Sequence, residues 1–506
     1  MYRRLFLQLT AAAGAAAQSP SVALEEITLD TIQQAFQSGR LTSHQLCQLY
    51  LSRIAAFDKA GPSLNAVIEL NPDALVDATR LDSERKTKGS RGPLHGVPVL
   101  VKDNIDTAGK MKTSAGSLAL ANHIAADDAP IVRNLRAAGA VILGKANLSE
   151  WANFRSSHSV SGWSGRGGLT HNPYALDRNT SGSSSGSGAA TAANLCAVSV
   201  GTETDGSVTS PASIHSLAGI KPTVGLLPGA GIIPISHTQD TAGPMTRTVR
   251  DAALLLAALA GKPADTYTKA LNAGALRGAR LGVARKFMGS SADVDRLLEG
   301  AFDVLKKQGA EVIDPVDLNV SQLGDAEFEV MLYEFKTDLN AYLARTGPAV
   351  AVKTLKDLIA FNEKHRDREM PYFEQETLVQ AEKKGPLTDK SYLDALEKCR
   401  RLSRAEGIDA IVKKHRLDAI IAPTSGPAWL TDLVNGDRDT GGCTTPAAVA
   451  GYPHVTVPAG FVKGLPVGLS FFGSAWSEAK LIGLAFAFEQ ATKARRPPQF
   501  LKSVKL

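Results

Sequence analysis

Hydrophobic positions recur with helical spacing in the first part of the chain. Residues 29–38 show this pattern and are followed by Gly39, a residue suited to the left-handed position that ends a helix. A second helical pattern begins at Thr42, and Gln45 three residues later completes a capping box. The sequence therefore predicts two helices within residues 18–90.

Hydrophobic runs of a different kind begin near Gly92. They are short, rich in β-branched residues and separated by helical patterns, which is typical of buried strands in an α/β protein. The runs comprise residues 99–101, 141–143, 197–200, 281–283, 419–421 and 455–457. We expect a layered α/β/α fold in which helices cover a large mixed central sheet. The strand order stays open at this point.

The pattern changes again in the second half of the chain. Residues 291–411 are mostly helical and rich in charge, whereas residues 412–506 return to strands and turns. The expected organisation is a catalytic core at 91–290, a helical insertion at 291–411 and a return to the core at 412–506. Both ends of the chain would then contribute to one core.

The charge balance argues against a nucleic-acid partner. The 506 residues are 44% hydrophobic, and 56 basic residues against 50 acidic ones give a net charge of +6. The basic clusters, such as Lys413-Lys414 and Arg400-Arg401, are short and have no aromatic residues interleaved. We therefore expect solvated helix faces rather than a surface that binds nucleic acid.

The four cysteines, at positions 47, 196, 399 and 443, lie far apart and form no C-x-x-C or Cys/His metal pattern. An oxidising compartment would allow one or two disulfides. Four buried thiols fit at least as well, because a free cysteine packs as a small apolar residue. No cluster of His, Asp or Glu has zinc-like spacing, so we expect no metal.

The N-terminus predicts export. Arg3-Arg4 precedes a mildly apolar stretch, and Ala15-Ala16-Ala17 offers a small-residue cleavage site, a pattern that resembles a twin-arginine signal peptide at residues 1–17. The apolar run is too short to span a bilayer, so we expect a periplasmic or extracellular protein without stable membrane association. The alternative is a frayed N-terminus on a cytoplasmic protein.

A serine- and glycine-rich segment occupies residues 180–188 and precedes an alanine run at 189–193. A flexible linker is a poor explanation, because the segment leads directly into a helix and then a strand. Residues 182–186 match the G-x-S-x-G elbow of α/β-hydrolases, but that elbow requires a preceding strand, and residues 176–180 have a loop pattern.

Phosphate binding is also a poor explanation for the glycines. No G-K-[ST] follows the serine segment, and the similar stretch at 139–145 has Ala146 where a magnesium-binding hydroxyl belongs. We interpret residues 140–143 as a strand, with Gly144 and Lys145 at a strand-to-helix turn.

Three motifs in order resemble the amidase signature family. They are Gly-Val-Pro-Val-Leu-Val-Lys-Asp-Asn at 96–104, Gly-Ser-Ser-Ser-Gly-Ser-Gly-Ala-Ala at 182–190, and Gly-Thr-Glu-Thr-Asp-Gly-Ser-Val at 201–208. The resemblance continues through 219–223, 446–451 and 466–469, and so covers nearly all of residues 18–506. Such a combination is far more specific than any one of its parts.

This resemblance implies an amidase that works without metal or cofactor. It makes Ser207 the nucleophile, Ser183 a bridging serine that follows a cis peptide bond, and Lys102 the base. It also implies an oxyanion hole built from the backbone N–H groups of Thr204, Asp205, Gly206 and Ser207. The substrate would be a small amide or an amidated peptide.

The proposed base must be neutral to work. A free lysine has a pKa of about 10.4 and is protonated at neutral pH, so it accepts a proton only where burial lowers that pKa to about 7–8. Lys102 follows the apolar run at 99–101, which suggests the end of a buried strand. His158, His171 and His215 lie near the serine motifs in sequence, so a Ser-His-Asp triad stays open.

Within the family, the segments 145–154 and 161–168 look most like peptide amidases, which release ammonia from C-terminally amidated peptides. Trp151, Phe154, Trp163 and Arg166 are candidates for the substrate pocket. Asp205 and Thr209 replace the glycine and arginine typical of the family members that amidate tRNA-bound amino acids. Two alternatives are a broad-specificity exported amidase or esterase and a catalytically inactive binding relative. The oligomeric state stays open.

Overall fold

The structure is a computed structural model that describes residues 23–318, 321–438 and 440–504. The signal peptide expected at residues 1–17 therefore lies outside the described residues. The strands are β1 Val67–Leu70, β2 Pro98–Lys102, β3 Val141–Ala146, β4 Trp163–Ser164, β5 Gly168–Leu169, β6 Val198–Glu203, β7 Ala218–Lys221, β8 Thr241–Thr246, β9 Arg280–Val283, β10 Glu311–Ile313, β11 Ala419–Pro423, β12 His454–Val462 and β13 Leu465–Phe472.

The helices connect and cover these strands. They are α1 Leu29–Gln37, α2 Ser43–Phe57, α3 Ala74–Lys88, α4 Pro130–Ala137, α5 Ser185–Ala192, α6 Thr209–Ile214, α7 Val249–Leu259, α8 Asp265–Thr268, α9 Ala292–Lys307, α10 Leu323–Leu343, α11 Leu355–Lys364, α12 Arg366–Glu369, α13 Glu376–Glu382, α14 Lys390–Arg400, α15 Asp409–His415, α16 Thr444–Ala450 and α17 Glu478–Thr492. Short 3₁₀ turns lie at Leu118–Leu120, Glu150–Asn153 and Arg285–Phe287, and a π-helical stretch lies at Arg401–Ile408.

Eleven strands form one mixed sheet in the order β1-β3-β2-β6-β8-β7-β12-β13-β11-β9-β10. Strands β2, β3 and β6 are mutually parallel, as are β9, β10 and β11, while antiparallel pairs join these two groups. The expected α/β fold with a large mixed central sheet is confirmed. The strands come from both halves of the chain, so the complete sheet forms only when the two halves pair.

Strand β11 shows why its sequence reads as an unbroken apolar run. All five of its residues are buried, with Ala419 and Ile421 in one hydrophobic cluster and Ile420 and Ala422 in another. Successive side chains of a strand point to opposite faces, so both faces of the sheet are covered here. Helices α7, α9 and α17 contribute to the first cluster, and α16 contributes to the second.

The first two helices form as their sequence predicts. The α1 helix ends just before Gly39, whose φ is +70°, and Thr42 and Gln45 make the complete capping box at the start of α2. One expectation near the third strand is wrong. Gly144 and Lys145 lie inside β3 rather than in a turn, because they pair with β1 and β2 on either side.

The predicted helical span 291–411 contains two kinds of element. Its first helix, α9, packs on β12, and β10 pairs with β9 at the edge of the sheet. Helices α10–α14 instead pack on one another and on the segments near residues 115–120, 151–154 and 233–235, and we refer to these five helices as the cap. Among the described residues, no helix combines the length and hydropathy that crossing a bilayer would require. All four cysteines are buried free thiols.

Candidate active site

Lys102 is the last residue of β2, a strand in which every residue is buried. Its side chain is fully enclosed, and its Nζ lies 2.7 Å from Ser183 Oγ. The other two contacts of Nζ are to Thr202, at 2.9 Å to Oγ1 and 3.2 Å to the carbonyl oxygen. The structure therefore places the predicted lysine and the predicted bridging serine in direct hydrogen-bond contact.

These three contacts suit an uncharged amine. A neutral lysine has two N–H donors and one lone pair, and Thr202 supplies two acceptors while the hydroxyl of Ser183 can donate to the lone pair. Burial lowers the pKa of Lys102 to about 7, although the more distant charges of Asp240 and Glu203 act to raise it. A substantial fraction of the amine is therefore unprotonated at neutral pH, as the sequence analysis required of a base.

The serine-rich segment runs from a loop into α5, which begins at Ser185. The Gly182–Ser183 peptide bond is cis, as the family resemblance implies. Gly186 lies against the backbone of Ala66 and Asn147 so closely that a Cβ would collide with both. The alanine run that follows is buried throughout, so this segment is a packed core helix and not a linker.

A tight turn after β6 carries Ser207 next to this segment. The backbone N–H of Ser184 donates to the carbonyl of Ser207 at 3.1 Å, and the Ser184 hydroxyl donates to the carbonyl of Thr202. Gly206 has φ of +76°, and its Cα faces Thr444, so the turn favours glycine there. Two hydrogen bonds thus join the segment of the bridging serine to β6 and to the turn that carries the predicted nucleophile.

The turn leaves a row of backbone donors available. None of the N–H groups of residues 204–207 donates a hydrogen bond to another described residue. The two N–H groups that follow, of Val208 and Thr209, are bound by the buried carboxylate of Glu203. The turn is fixed from its other side by Asp240, which accepts from Thr204 Oγ1 at 2.5 Å. Unpaired donors held rigidly are what a developing oxyanion requires.

A pocket of about 490 Å³ opens onto this turn and is lined by residues 204–207 together with Ser181 and Gly182. Ser207 is 8% exposed, whereas Ser183 and Lys102 are completely buried and do not line the pocket. Of the three predicted catalytic groups, the hydroxyl of Ser207 therefore lies at the pocket wall, and the hydroxyl of Ser183 and the amine of Lys102 lie in the protein interior.

Of the four aromatic and basic residues predicted for the substrate pocket, only Phe154 lies in its wall. Trp151 is buried in a hydrophobic cluster with cap residues and does not line the pocket. Trp163 packs edge-on against Phe373 of the cap. Arg166 pairs with Glu69 and Asp103. None of these three side chains lines the pocket, because hydrophobic packing encloses the two tryptophans and ion pairs hold Arg166.

Other residues of the pocket wall have no local sequence pattern that predicts their position. Asp437, Trp429 and Thr445 come from the segment between β11 and the end of α16, and Met331 comes from cap helix α10. The loop portion has no periodic pattern, and an isolated methionine on a helix predicts nothing by itself. The glycine pair at 441–442, next to a threonine pair at 444–445, is the one local hint of a loop that approaches something closely.

The histidine alternative finds no support in the geometry. No histidine lies among the described residues that line the pocket. His215 is buried, with Nδ1 against the carbonyl of Pro211, and His158 is largely exposed beside Glu376. Within the described part of the chain, His237, Glu334 and Asp338 are close enough together to hold an ion, but Glu334 already accepts hydrogen bonds from Ser236 and Tyr392.

Comparison with known proteins agrees with this geometry. A family profile described as Amidase matches residues 45–482. The native peptide amidase of Stenotrophomonas maltophilia superposes with a TM-score of 0.88 at 50% sequence identity, covering 94% of this chain and 99% of that one. An Arabidopsis thaliana protein named "Probable amidase" is 44% identical over 96% of this chain and 93% of its own length.

More distant relatives include a glutamyl-tRNA(Gln) amidotransferase subunit of Pseudomonas aeruginosa, which is 33% identical over 93% of this chain and 98% of its own length. The motifs at 96–104, 182–190 and 201–208, the fold and the profile match thus agree over nearly the whole described chain. The chain belongs to the amidase signature family and is a hydrolase that acts on amide C–N bonds.

Proposed function

We propose that this enzyme removes ammonia from the C-terminal carboxamide of peptides, through an acyl-enzyme formed on Ser207. The observation that carries the mechanism is the 2.7 Å contact between Lys102 Nζ and Ser183 Oγ, made by an amine whose pKa burial lowers to about 7. A serine hydroxyl is a poor nucleophile unless a base takes its proton, and this buried amine is a base that can do so.

Acylation moves two protons in one direction. The hydroxyl of Ser207 gives its proton to Ser183 Oγ while Ser183 gives its own to Lys102 Nζ. Ser207 Oγ then bonds to the carbonyl carbon, and the carbonyl oxygen becomes an oxyanion held by the free N–H groups of residues 204–207. When the tetrahedral intermediate collapses, the C–N bond breaks and the relay returns a proton to the nitrogen, which leaves as ammonia.

Deacylation uses the same groups in the same order. With ammonia gone, a water molecule occupies the leaving-group position and gives its proton through Ser183 to Lys102. The hydroxide attacks the acyl ester, the C–O bond to Ser207 breaks, and the returning proton restores the Ser207 hydroxyl. The products are the peptide acid and a free enzyme.

The substrate class rests on the pocket and on the relatives. The pocket combines apolar residues, Phe154, Ile235 and Met331, with many hydroxyl and backbone groups, a surface that suits a peptide end better than a purely aliphatic amide. The peptide amidase that is 50% identical supports the same class. Asp205 and Thr209, in place of a glycine and an arginine, argue against the tRNA-dependent reaction.

The test is a substrate panel with the purified full chain. We expect ammonia release from C-terminally amidated dipeptides and tripeptides with kcat/KM at least tenfold above that for simple alkyl or aryl amides and esters. Equal rates across the panel would instead identify a broad-specificity amidase or esterase. No turnover together with no labelling by a fluorophosphonate probe would identify an inactive binding relative and overturn the proposal.

We also propose export, on the N-terminal pattern alone. The experiment is fractionation of the full-length chain in a bacterium with a twin-arginine system, beside a variant in which Arg3 and Arg4 are both replaced by lysine. We expect the shortened chain outside the cytoplasm for the natural sequence and a full-length cytoplasmic chain for the variant. Identical cytoplasmic location of both would rule export out.

A further inference from the structure

The ionisable side chains in the catalytic pocket are all acidic. Among the described residues that line the pocket, Asp205 and Asp437 are the ionisable ones, and none is a lysine, arginine or histidine. The rest of the lining is neutral. A pocket lined in this way has a negative potential, and a low-dielectric protein wall strengthens that potential relative to the same charges in water.

Asp205 places a negative charge two residues from the nucleophile. Its Oδ2 accepts a hydrogen bond from Thr445 Oγ1 at 2.6 Å, while its Oδ1 is buried without a partner among the described residues. Lys221 reduces the cost of this charge from a distance, but its Nζ lies against the carbonyl of Pro222 rather than the carboxylate. The hydroxyls of Thr444 and Thr445 stabilise the ionised carboxylate, and no described lysine or arginine forms an ion pair with it.

A second carboxyl group lies close enough to respond to the charge of Asp205. Glu327 of cap helix α10 is buried, accepts from Gln239 Nε2 at 2.8 Å, and its pKa is raised well above the usual range by burial and by the charge of Asp205. Burial likewise raises the pKa of Asp205, to about 6, which leaves Asp205 ionised at neutral pH. Of these two carboxyl groups, Glu327 therefore holds its proton at neutral pH, and Asp205 is the one that carries a negative charge.

Asp437 adds a carboxylate from another segment. Its Oδ1 accepts from the side chains of Asn179 and Trp429, and its Oδ2 accepts from the backbone N–H of Ser161. These three contacts hold the carboxyl group of Asp437 in the pocket wall. Two chain segments therefore bring like charge to one cavity.

We propose that this pocket excludes carboxylates by charge, so that it accepts the neutral carboxamide end of a peptide and expels the acid that hydrolysis creates. This inference rests on the proposed function. A carboxamide and a carboxylate have nearly the same shape, so steric fit cannot separate substrate from product, whereas one full charge can. The cost of a like charge at this site makes product inhibition weak and favours release.

The experiment compares a peptide amide with its own free acid. Calorimetric titration of the Ser207→Ala chain, which cannot turn over, gives a Kd for each ligand, and we expect the acid to bind at least 30-fold more weakly than the amide. Adding Asp205→Asn to this background should cut that ratio at least tenfold, and Asp437→Asn should cut it by a smaller factor. The matched control is Asp251→Asn, a buried aspartate beside α1 and far from the pocket, which should leave the ratio unchanged.

The outcomes separate this inference from the proposed function. Equal affinity for amide and acid, or a ratio that Asp205→Asn leaves within threefold, overturns charge exclusion even if peptide amides are hydrolysed. Failure of both ligands to bind overturns both proposals. Weak acid binding in a protein that does not hydrolyse peptide amides would support charge exclusion and overturn only the peptide assignment.

Discussion

Two buried lysines lie on the neighbouring strands β2 and β3, and the charges around their two amines differ. Lys102 ends β2 and touches only hydroxyl and carbonyl groups, those of Ser183 and Thr202. Lys145 lies in β3, where its Nζ contacts the carbonyl of Ile105 and Thr113 Oγ1, with Asp103 and Asp106 close enough to stabilise its charge. Burial lowers both pKa values, to about 7 for Lys102 and about 8 for Lys145.

The strand register explains why the two environments are separate. Val101 pairs with Lys145 and Lys102 pairs with Ala146, so the lysines are offset by one residue. Because neighbouring side chains along a strand alternate between faces, the offset sends the two amines to opposite sides of the sheet. The carboxylate of Asp103, one residue after Lys102, falls on the Lys145 side and accepts from Ser114 Oγ and Arg166 there.

The comparison shows what turns a buried lysine into a base. Equal burial is not sufficient, because the charges of nearby carboxylates stabilise the ammonium form of Lys145 without touching it. Around Lys102 the nearest partners are neutral, and one of them is the hydroxyl of the proposed bridging serine, Ser183. If Lys102 is the base and Lys145 has a structural role, changes at the two sites should have different effects.

The largest effect is expected from Ser207→Ala. Removing the proposed nucleophile should lower kcat by a factor on the order of 10⁶, the size of the loss when a serine hydrolase loses its nucleophile. The thermal unfolding midpoint should change little, since the side chain lies at the pocket wall. The control is Ser210→Ala, which removes another pocket hydroxyl and should retain activity within tenfold. Wild-type turnover in Ser207→Ala would end the assignment.

Replacing each lysine by methionine should affect a different property: activity for Lys102 and stability for Lys145. Lys102→Met should lower kcat/KM by about 10²–10⁴, the usual contribution of a general base. Lys145→Met leaves buried carboxylates without their cation and should lower the free energy of unfolding by about 3–5 kcal/mol, while the folded fraction keeps most of its activity. Denaturant unfolding and steady-state kinetics on both variants test this prediction. A loss of activity confined to Lys145→Met, with a loss of stability confined to Lys102→Met, would contradict the assignment of Lys102 as the base.

The pH dependence should report the Lys102 amine. Since the neutral form is the base, kcat/KM should be constant above pH 7 and fall about tenfold per unit below it. Asp205 and Asp240, with pKa values raised by burial to about 6, titrate in the same region. Temperature separates the candidates, because the pKa of an amine falls on warming while that of a carboxyl scarcely moves. If the apparent pKa of the acidic limb of the profile, where kcat/KM falls, does not change with temperature, the titrating group is a carboxyl and not the Lys102 amine.

The smallest effect is expected from Thr202→Val. It removes the hydroxyl that accepts hydrogen bonds from Lys102 and Asn104, and this acceptor stabilises the ammonium form more than the neutral one. The acidic limb of the pH profile should therefore move to lower pH by up to about one unit, with less than a tenfold loss of kcat. Thr107→Val, another buried threonine, should leave the limb in place and serves as the control. An unmoved limb in both variants would show that Thr202 does not set the lysine's pKa.

The sequence alone determined much of this protein. The capping box at Thr42, the buried runs of the sheet and the positions of Lys102, Ser183 and Ser207 in their motifs are local patterns, because helix caps and strand alternation depend on residues close in sequence. The tertiary structure decided the rest. Asp437, Met331 and Thr445 reach the pocket from distant segments, and Trp151, Trp163 and Arg166 turn away from it.

The physical reason is that a side chain's protonation and contacts depend on what the fold brings around it. Lys102 and Lys145 both follow apolar runs, and the family motif marks Lys102 by resemblance without giving the physical difference between the two amines. Only the pairing of β2 with β3 separates the carboxylates from one amine and assigns them to the other. Long-range packing, and not the motif itself, sets the charge state on which the chemistry depends.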